Sequence, residues 1–131
     1  MQALKPVLAI LDDEPEMRKA LRRLLTGCGY SVVEYACRND FLAALALQPP
    51  DCLLLDLHMA EGSGFDVLED LRLRQSHLPV IIITAHDAPG TEERVRALGA
   101  CAYLKKPVDR DALLSAIAAV TKISPRLQDE P

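Results

Sequence analysis

No apolar run in this 131-residue chain approaches the roughly 20 residues that a membrane-spanning helix needs, so membrane insertion is not expected. The amino terminus, Met1-Gln2-Ala3-Leu4-Lys5-Pro6, moves straight into a short strand-like run that ends in acids, which is not the layout of a signal peptide. Basic charge is in deficit. Fifteen Lys and Arg stand against 19 Asp and Glu, giving a net charge of −4 and a pI near 5.3. With no long basic stretch either, direct nucleic-acid binding by this chain is not expected. The four cysteines, Cys28, Cys37, Cys52 and Cys101, show neither C-x-x-C spacing nor a zinc-finger pairing with histidine. That disfavours a structural disulfide or zinc site and suits reduced thiols in a cytoplasmic protein. Cys52 and Cys101 lie in strand-like runs and read as small buried hydrophobes. Internal repeats beyond one structural unit, and low-complexity stretches, are also lacking.

Half of the residues are hydrophobic, enough for the single packed core expected of one domain of this length. Apolar runs alternate with helical periodicity. Strands are predicted at residues 6–11, 31–35, 51–55, 79–83 and 101–104. A helix at 15–27 carries Met17, Leu21, Leu24 and Leu25 on one stripe, with Pro15 suited to its first turn and Gly27 and Gly29 to its end. Asn39 or Asp40 is a candidate cap for a second helix running to Leu47, stopped by Pro49-Pro50. Ser63 is the candidate cap for a helix from Gly64 to about Arg74, another helix ends at Gly99, and Asp109 caps a last one from Arg110 to about Thr121. Five strand–helix units predict an α/β fold with a mostly parallel sheet, covered by helices on both faces because its strands are apolar throughout. Residues 1–122 read as the domain, and 123–131 as a tail or truncated linker.

The strand ends carry the chemistry. The first run ends in Asp12-Asp13, the third in Asp56, the fourth in Thr84, and the fifth in Lys105-Lys106-Pro107. Carboxyl ends of parallel strands share one edge, where sites form. Like charges about 4 Å apart repel by roughly 4 kcal/mol at an effective dielectric near 20, so three carboxylates there need a counter-ion or shifted pKa values. Oxygen-only ligands favour Mg²⁺ or Mn²⁺ over zinc. Asp56 is then placed to attack phosphorus and form an aspartyl phosphate, with Lys106 pairing the phosphoryl group as a point charge. Thr84 would donate its hydroxyl to the group once attached, and Ala85 leaves room for it. Any one such Asp alone is more often a turn residue or a helix cap; the set of strand ends in chain order shifts the balance.

From about Pro6 to Thr121 the chain resembles the receiver domain of the two-component response regulator family, chemotaxis-regulator-like in form. The residues that carry the resemblance are Asp12-Asp13, Asp56-Leu57-His58-Met59 with Gly64 eight residues after the aspartate, Thr84-Ala85, and Lys106-Pro107. The resemblance implies a doubly wound, flavodoxin-like five-stranded sheet of order 2-1-3-4-5. It implies Asp56 as phosphoacceptor, with Asp12, Asp13, Asp56 and the His58 carbonyl as Mg²⁺ ligands. It selects Lys106 over Lys105 as the site lysine, with a Lys106–Pro107 bond similar to one usually cis. Tyr103 takes the place of the family's switch aromatic, turning inward as Thr84 moves and so changing a docking surface near the fourth and fifth strands. His58 and His86 occupy the positions that tune hydrolysis of the phosphoryl group; otherwise they are solvated loop residues. Implied partners are a histidine kinase or histidine phosphotransfer protein, docking near the helix that holds Arg18, Arg22 and Arg23, and a downstream output protein or an output domain.

Two departures stand out. Ala60 replaces the proline usual after the Met59 position, and with Gly62 gives a freer loop. The last helix, Leu113 to Val120, lacks the charges of the winged-helix transcription-factor class, so its Ala-rich surface is either a docking face or unusually buried. Three rivals remain. A haloacid dehalogenase phosphatase carries Asp-x-Asp and a cap, whereas Asp12-Asp13-Glu14 stands here. A flavodoxin-type carrier needs a loop that cradles phosphate rather than an acidic one. A pseudo-receiver would dock without phosphorylation.

Overall fold

The structure, a computed structural model, describes residues 5–59 and 63–122. The tail expected at 123–131 and the freer loop expected at Ala60 and Gly62 lie outside the described residues. Five strands, β1 (Val7–Leu11), β2 (Ser31–Tyr35), β3 (Cys52–Asp56), β4 (Val80–Thr84) and β5 (Ala102–Lys105), alternate with five helices. These are α1 (Pro15–Gly27), α2 (Arg38–Leu47), α3 (Gly64–Leu73), α4 (Thr91–Ala97) and α5 (Arg110–Lys122). The strands form one parallel sheet in the order β2-β1-β3-β4-β5, the doubly wound arrangement.

The sheet separates two apolar layers. Leu11, Leu53, Leu55 and Ile82 point to the side covered by Phe41 of α2, Val67, Leu68 and Leu71 of α3, and Val95 of α4. Leu8, Ile10, Leu54, Ile81 and Ile83 point to the other, against Leu21 and Leu25 of α1 and Leu113, Ile117 and Val120 of α5. Every residue of β3 and β4 is buried, because helices cover both sides of these inner strands. Burying each such Leu or Ile contributes about 1.5–3 kcal/mol, which makes these strands rigid mounts for whatever stands at their ends.

Several boundaries differ from expectation in an informative way. β3 and β4 extend one residue further, so Asp56 and Thr84 are the last residues of strands rather than the first of loops. Their polar side chains are buried, at 5% and 0% exposure, and the strand is paid out to them by ladder bonds such as Leu57 N–H to Ile83 carbonyl. Neither Asn39 nor Asp40 caps α2; the helix starts at Arg38 behind Cys37, with no side-chain cap. Ser63 and Asp109 do stand at the caps of α3 and α5: Ser63 N–H donates to Asp66 Oδ2, and Ala112 N–H to Asp109 Oδ2 at 2.8 Å. The helix expected to end at Gly99 stops at Ala97, and Gly99, at φ 108°, turns the chain toward β5. Cys52 is buried as expected, but Cys101 is exposed, because β5 starts only at Ala102. No helix among the described residues is long and apolar enough to cross a membrane.

Gly64 shows why the β3–α3 connection is tight. A Cβ there would lie 2.8 Å from Leu57 Cα and 2.9 Å from the Asp56 carbonyl oxygen, both backbone atoms. Only a residue without a side chain lets α3 start this close to the end of β3, where Gly64 N–H also bonds the Leu57 carbonyl at 2.8 Å.

Candidate functional site

Asp12 follows β1 directly, Asp56 ends β3, and Lys106 follows β5. Lys106 N–H bonds the Thr84 carbonyl at 2.8 Å, which anchors its main chain beside the end of β4. From there its side chain reaches across the sheet edge. Nζ lies 3.2 Å from Asp12 Oδ2, 3.6 Å from Asp56 Oδ1 and 3.4 Å from Glu14 Oε1. Carboxylate oxygens of Asp12, Asp13 and Asp56 lie within 4.8 Å of one another. The Lys106–Pro107 peptide is cis.

The electrostatics follow from crowding. Burial, then the neighbouring Asp12, pushes the Asp56 carboxyl up from 3.8 to about 6; Lys106 and the His58 N–H, 3.3 Å from Asp56 Oδ1, work in the opposite sense, and Asp13 adds to the rise. Burial opposes the charge on Lys106, but Asp12 and Asp56 outweigh it and hold the ammonium above its ordinary range. One lysine therefore faces more negative charge than it neutralises. A convergent oxygen-only donor set with surplus negative charge fits a hard divalent cation.

Thr84 and the two histidines flank this cluster. The Thr84 hydroxyl accepts from His86 N–H at 3.0 Å and lies 3.3 Å from the His86 carbonyl, so in this structure it is engaged by its own loop. The exposed rings of His58 and His86 meet edge to face, with centroids 4.7 Å apart. These two loops, one after β3 and one after β4, thus touch through imidazoles above the strand ends.

The family model for the response regulator receiver domain matches residues 8–118. The chain belongs to this family. The transcriptional regulator NtrC of Klebsiella pneumoniae is 36% identical over 121 residues, covering 92% of this chain and 25% of that protein. The response regulator TodT of Pseudomonas putida is 35% identical over 121 residues, covering 92% of this chain and 53% of that protein. Among solved structures, a response regulator receiver protein from Burkholderia phymatum is 37% identical with a TM-score of 0.79, covering 92% of this chain and 98% of that one. A signal receiver domain from Vibrio parahaemolyticus has a TM-score of 0.88 at 25% identity, covering 96% of each chain. This receiver spans about a quarter of NtrC and about half of TodT. The phosphatase and flavodoxin-type readings gain no support from these likenesses.

Elsewhere in the receiver, Tyr103 lies on β5 with its ring packed against the α2–α3–α4 side of the core. Its hydroxyl is not simply in water: it donates to Asp87 Oδ1 at 2.8 Å, while Lys105 Nζ sits 3.3 Å from Asp87 Oδ2. On α5, Leu113, Ile117 and Val120 are buried and Ser115 and Ala119 are exposed, so the helix is neither fully buried nor a continuous apolar face.

Two residues of the site went unread in the sequence. Glu14 shares Lys106 with the aspartates. Arg18, read only as a residue of the helix near which a phosphodonor would dock, donates through Nη1 to the Asp12 carbonyl at 2.6 Å. Arg18 N–H also bonds the Glu14 carbonyl one helical turn back, but nothing in the sequence sets Arg18 apart from Arg22 and Arg23.

Proposed function

We propose that this receiver is a phosphoacceptor switch that takes a phosphoryl group onto Asp56 from a phosphohistidine, carried by a histidine kinase or a histidine phosphotransfer protein. An Asp56 oxygen forms the new bond to phosphorus as the bond to the donor imidazole nitrogen breaks, and the imidazole leaves with a proton from solvent. Asp12, Asp13, Asp56 and the His58 carbonyl are the residues that would hold Mg²⁺ or Mn²⁺, which when bound supplies charge neutralisation for the phosphoryl oxygens. The observation that carries this reading is the contact of Lys106 Nζ with both Asp12 and Asp56, at 3.2 and 3.6 Å, from the far side of the sheet edge. It supports a site built to receive an anion beside an acidic residue.

In this reading Thr84 exchanges its His86 contact for a phosphoryl oxygen. Tyr103 leaves Asp87 and turns inward, which alters the surface near β4 and β5 offered to a downstream protein or an output domain. His58 and His86 screen the attacking water and set how long the phosphoryl group stays. The reading that the domain docks without phosphorylation has no observation in its favour, because the full set of site residues is present.

The test is mass spectrometry after incubation with acetyl phosphate and Mg²⁺. One phosphoryl group should be gained by the wild type and none by Asp56→Asn, and its decay should change when His58 and His86 are both replaced. A wild type that stays unmodified with Mg²⁺ present overturns the proposal.

A further inference from the structure

Every polar group of Asp12 has a partner. Its N–H bonds the Tyr35 carbonyl at 3.2 Å, Oδ1 accepts from Glu14 N–H at 2.9 Å, and Oδ2 faces Lys106 at 3.2 Å. Its carbonyl accepts from Arg18 Nη1 at 2.6 Å. That carbonyl belongs to the peptide joining Asp12 to Asp13. A peptide unit is planar, so gripping its oxygen fixes the plane from which both acidic residues hang. Arg18 is itself restrained. Its Nε lies 3.5 Å from Glu34 Oε1 on β2, and Arg22 Nε lies 2.6 Å from Glu34 Oε2. The Arg18 side chain is 17% exposed and that of Arg22 47%. Both arginines meet Glu34, and of the two Arg18 extends from it to the Asp12–Asp13 peptide.

We infer that Arg18, braced by Glu34, is a positioning residue that sets the cation affinity of the acidic site by orienting the Asp12–Asp13 peptide. The inference rests on the reading of Asp12, Asp13 and Asp56 as a cation site, which the donor set supports. Arg18 touches neither the phosphoryl group nor the cation; it acts through the main chain. Groups that orient metal ligands without binding the metal typically contribute 10–100-fold in affinity. Lysine is a poor substitute, since one ammonium lacks the planar fork that serves a carboxylate and a carbonyl at once.

The sign of the effect separates positioning from simple charge. A guanidinium near the site repels a cation, so on Coulomb's law alone its removal tightens binding. Positioning requires the reverse. The experiment is calorimetric titration of the full chain with Mn²⁺, below the melting temperature of each variant. Arg18→Met should bind Mn²⁺ about tenfold more weakly than wild type, while Arg22→Met, which loses only the Glu34 contact, should match wild type. Should Arg18→Met not fold, Arg18→Gln, too short to span Glu34 and the Asp12 carbonyl together, takes its place with the same expectation. Unchanged or tighter binding without Arg18, or equal weakening in the Arg22 variant, overturns the inference. A wild type whose Mn²⁺ binding is absent, or is unaffected by Asp13→Asn, overturns the cation-site reading instead.

Discussion

Lys105 and Lys106 are consecutive, and each meets a carboxylate at nearly the same distance: 3.3 Å to Asp87 and 3.2 Å to Asp12. Their surroundings are opposite. The Lys105 and Asp87 side chains are 64% and 44% exposed, those of Lys106 and Asp12 only 14% and 3%. Water screens the outer pair, and such pairs contribute little. The inner pair has given up its hydration, so its attraction is strong but offset by desolvation. Distance alone therefore says little about what an ion pair does. The inner group concentrates buried charge at the strand ends, and the outer one, with Tyr103 as a third member, ties a half-buried ring to a loop.

The contrast predicts its largest effect for removal of each lysine in turn. Lys106→Met leaves Asp12 and Asp56 buried without their cation, and should lower metal-free stability at pH 7 by about 3 kcal/mol. Lys105→Met should leave it nearly unchanged. Urea unfolding in chelator measures both. Mg²⁺ should restore part of the loss in the Lys106 variant and nothing in the other. Similar losses for the two lysines would erase the distinction between inner and outer pairs.

A smaller effect follows from Asp56. Its carboxyl titrates at about 6, raised from 3.8 chiefly by burial. A carboxyl whose pKa is raised on folding holds its proton more tightly in the folded state. Its contribution is therefore most favourable below pH 4, weakens as the pH rises toward 6, and is a fixed penalty above that. Asp56→Asn removes the penalty but also the attraction to Lys106. Metal-free Asp56→Asn should be more stable than wild type by about 2 kcal/mol at pH 7.5, with the difference vanishing near pH 3.5. Thermal unfolding across that range checks the sign; a wild type that outlasts the variant at pH 7.5 means Lys106 already neutralises the cluster.

The inner region was the legible one. Apolar runs ending in Asp12-Asp13, Asp56, Thr84 and Lys106 state their own geometry once the strands are taken as parallel, because one sheet edge must collect them. The resemblance supplied the strand order, which no run of residues encodes by itself. Local polar choices were less legible. Asn39 and Asp40 are good caps in isolation, yet α2 starts ahead of them at Arg38. Arg18 carried no mark distinguishing it from Arg22 or Arg23; its role depends on where the main chain of Asp12 turns, which is a tertiary fact. The same holds for Asp87, a loop residue whose side chain meets two residues of β5 only after the sheet has formed.

The smallest effect tests that outer group. Burial first, and then the bond to Asp87, pushes the Tyr103 hydroxyl up from 10.0 to about 12. In turn the Tyr103 hydroxyl, and after it Lys105, holds the Asp87 carboxyl below its usual range. Asp87→Asn keeps an acceptor oxygen but removes the charge, so Tyr103 should ionise at lower pH while remaining above an ordinary tyrosine, because its burial is untouched. Tyrosinate absorbance during alkaline titration reads this, with Tyr103→Phe identifying which of the three tyrosines has moved. Lys105→Met should leave the Tyr103 hydroxyl bond in place. A Tyr103 that titrates identically with and without the Asp87 charge would mean the ring is held by the core alone. The outer group would then reduce to a screened lysine pair with no hold on the aromatic residue.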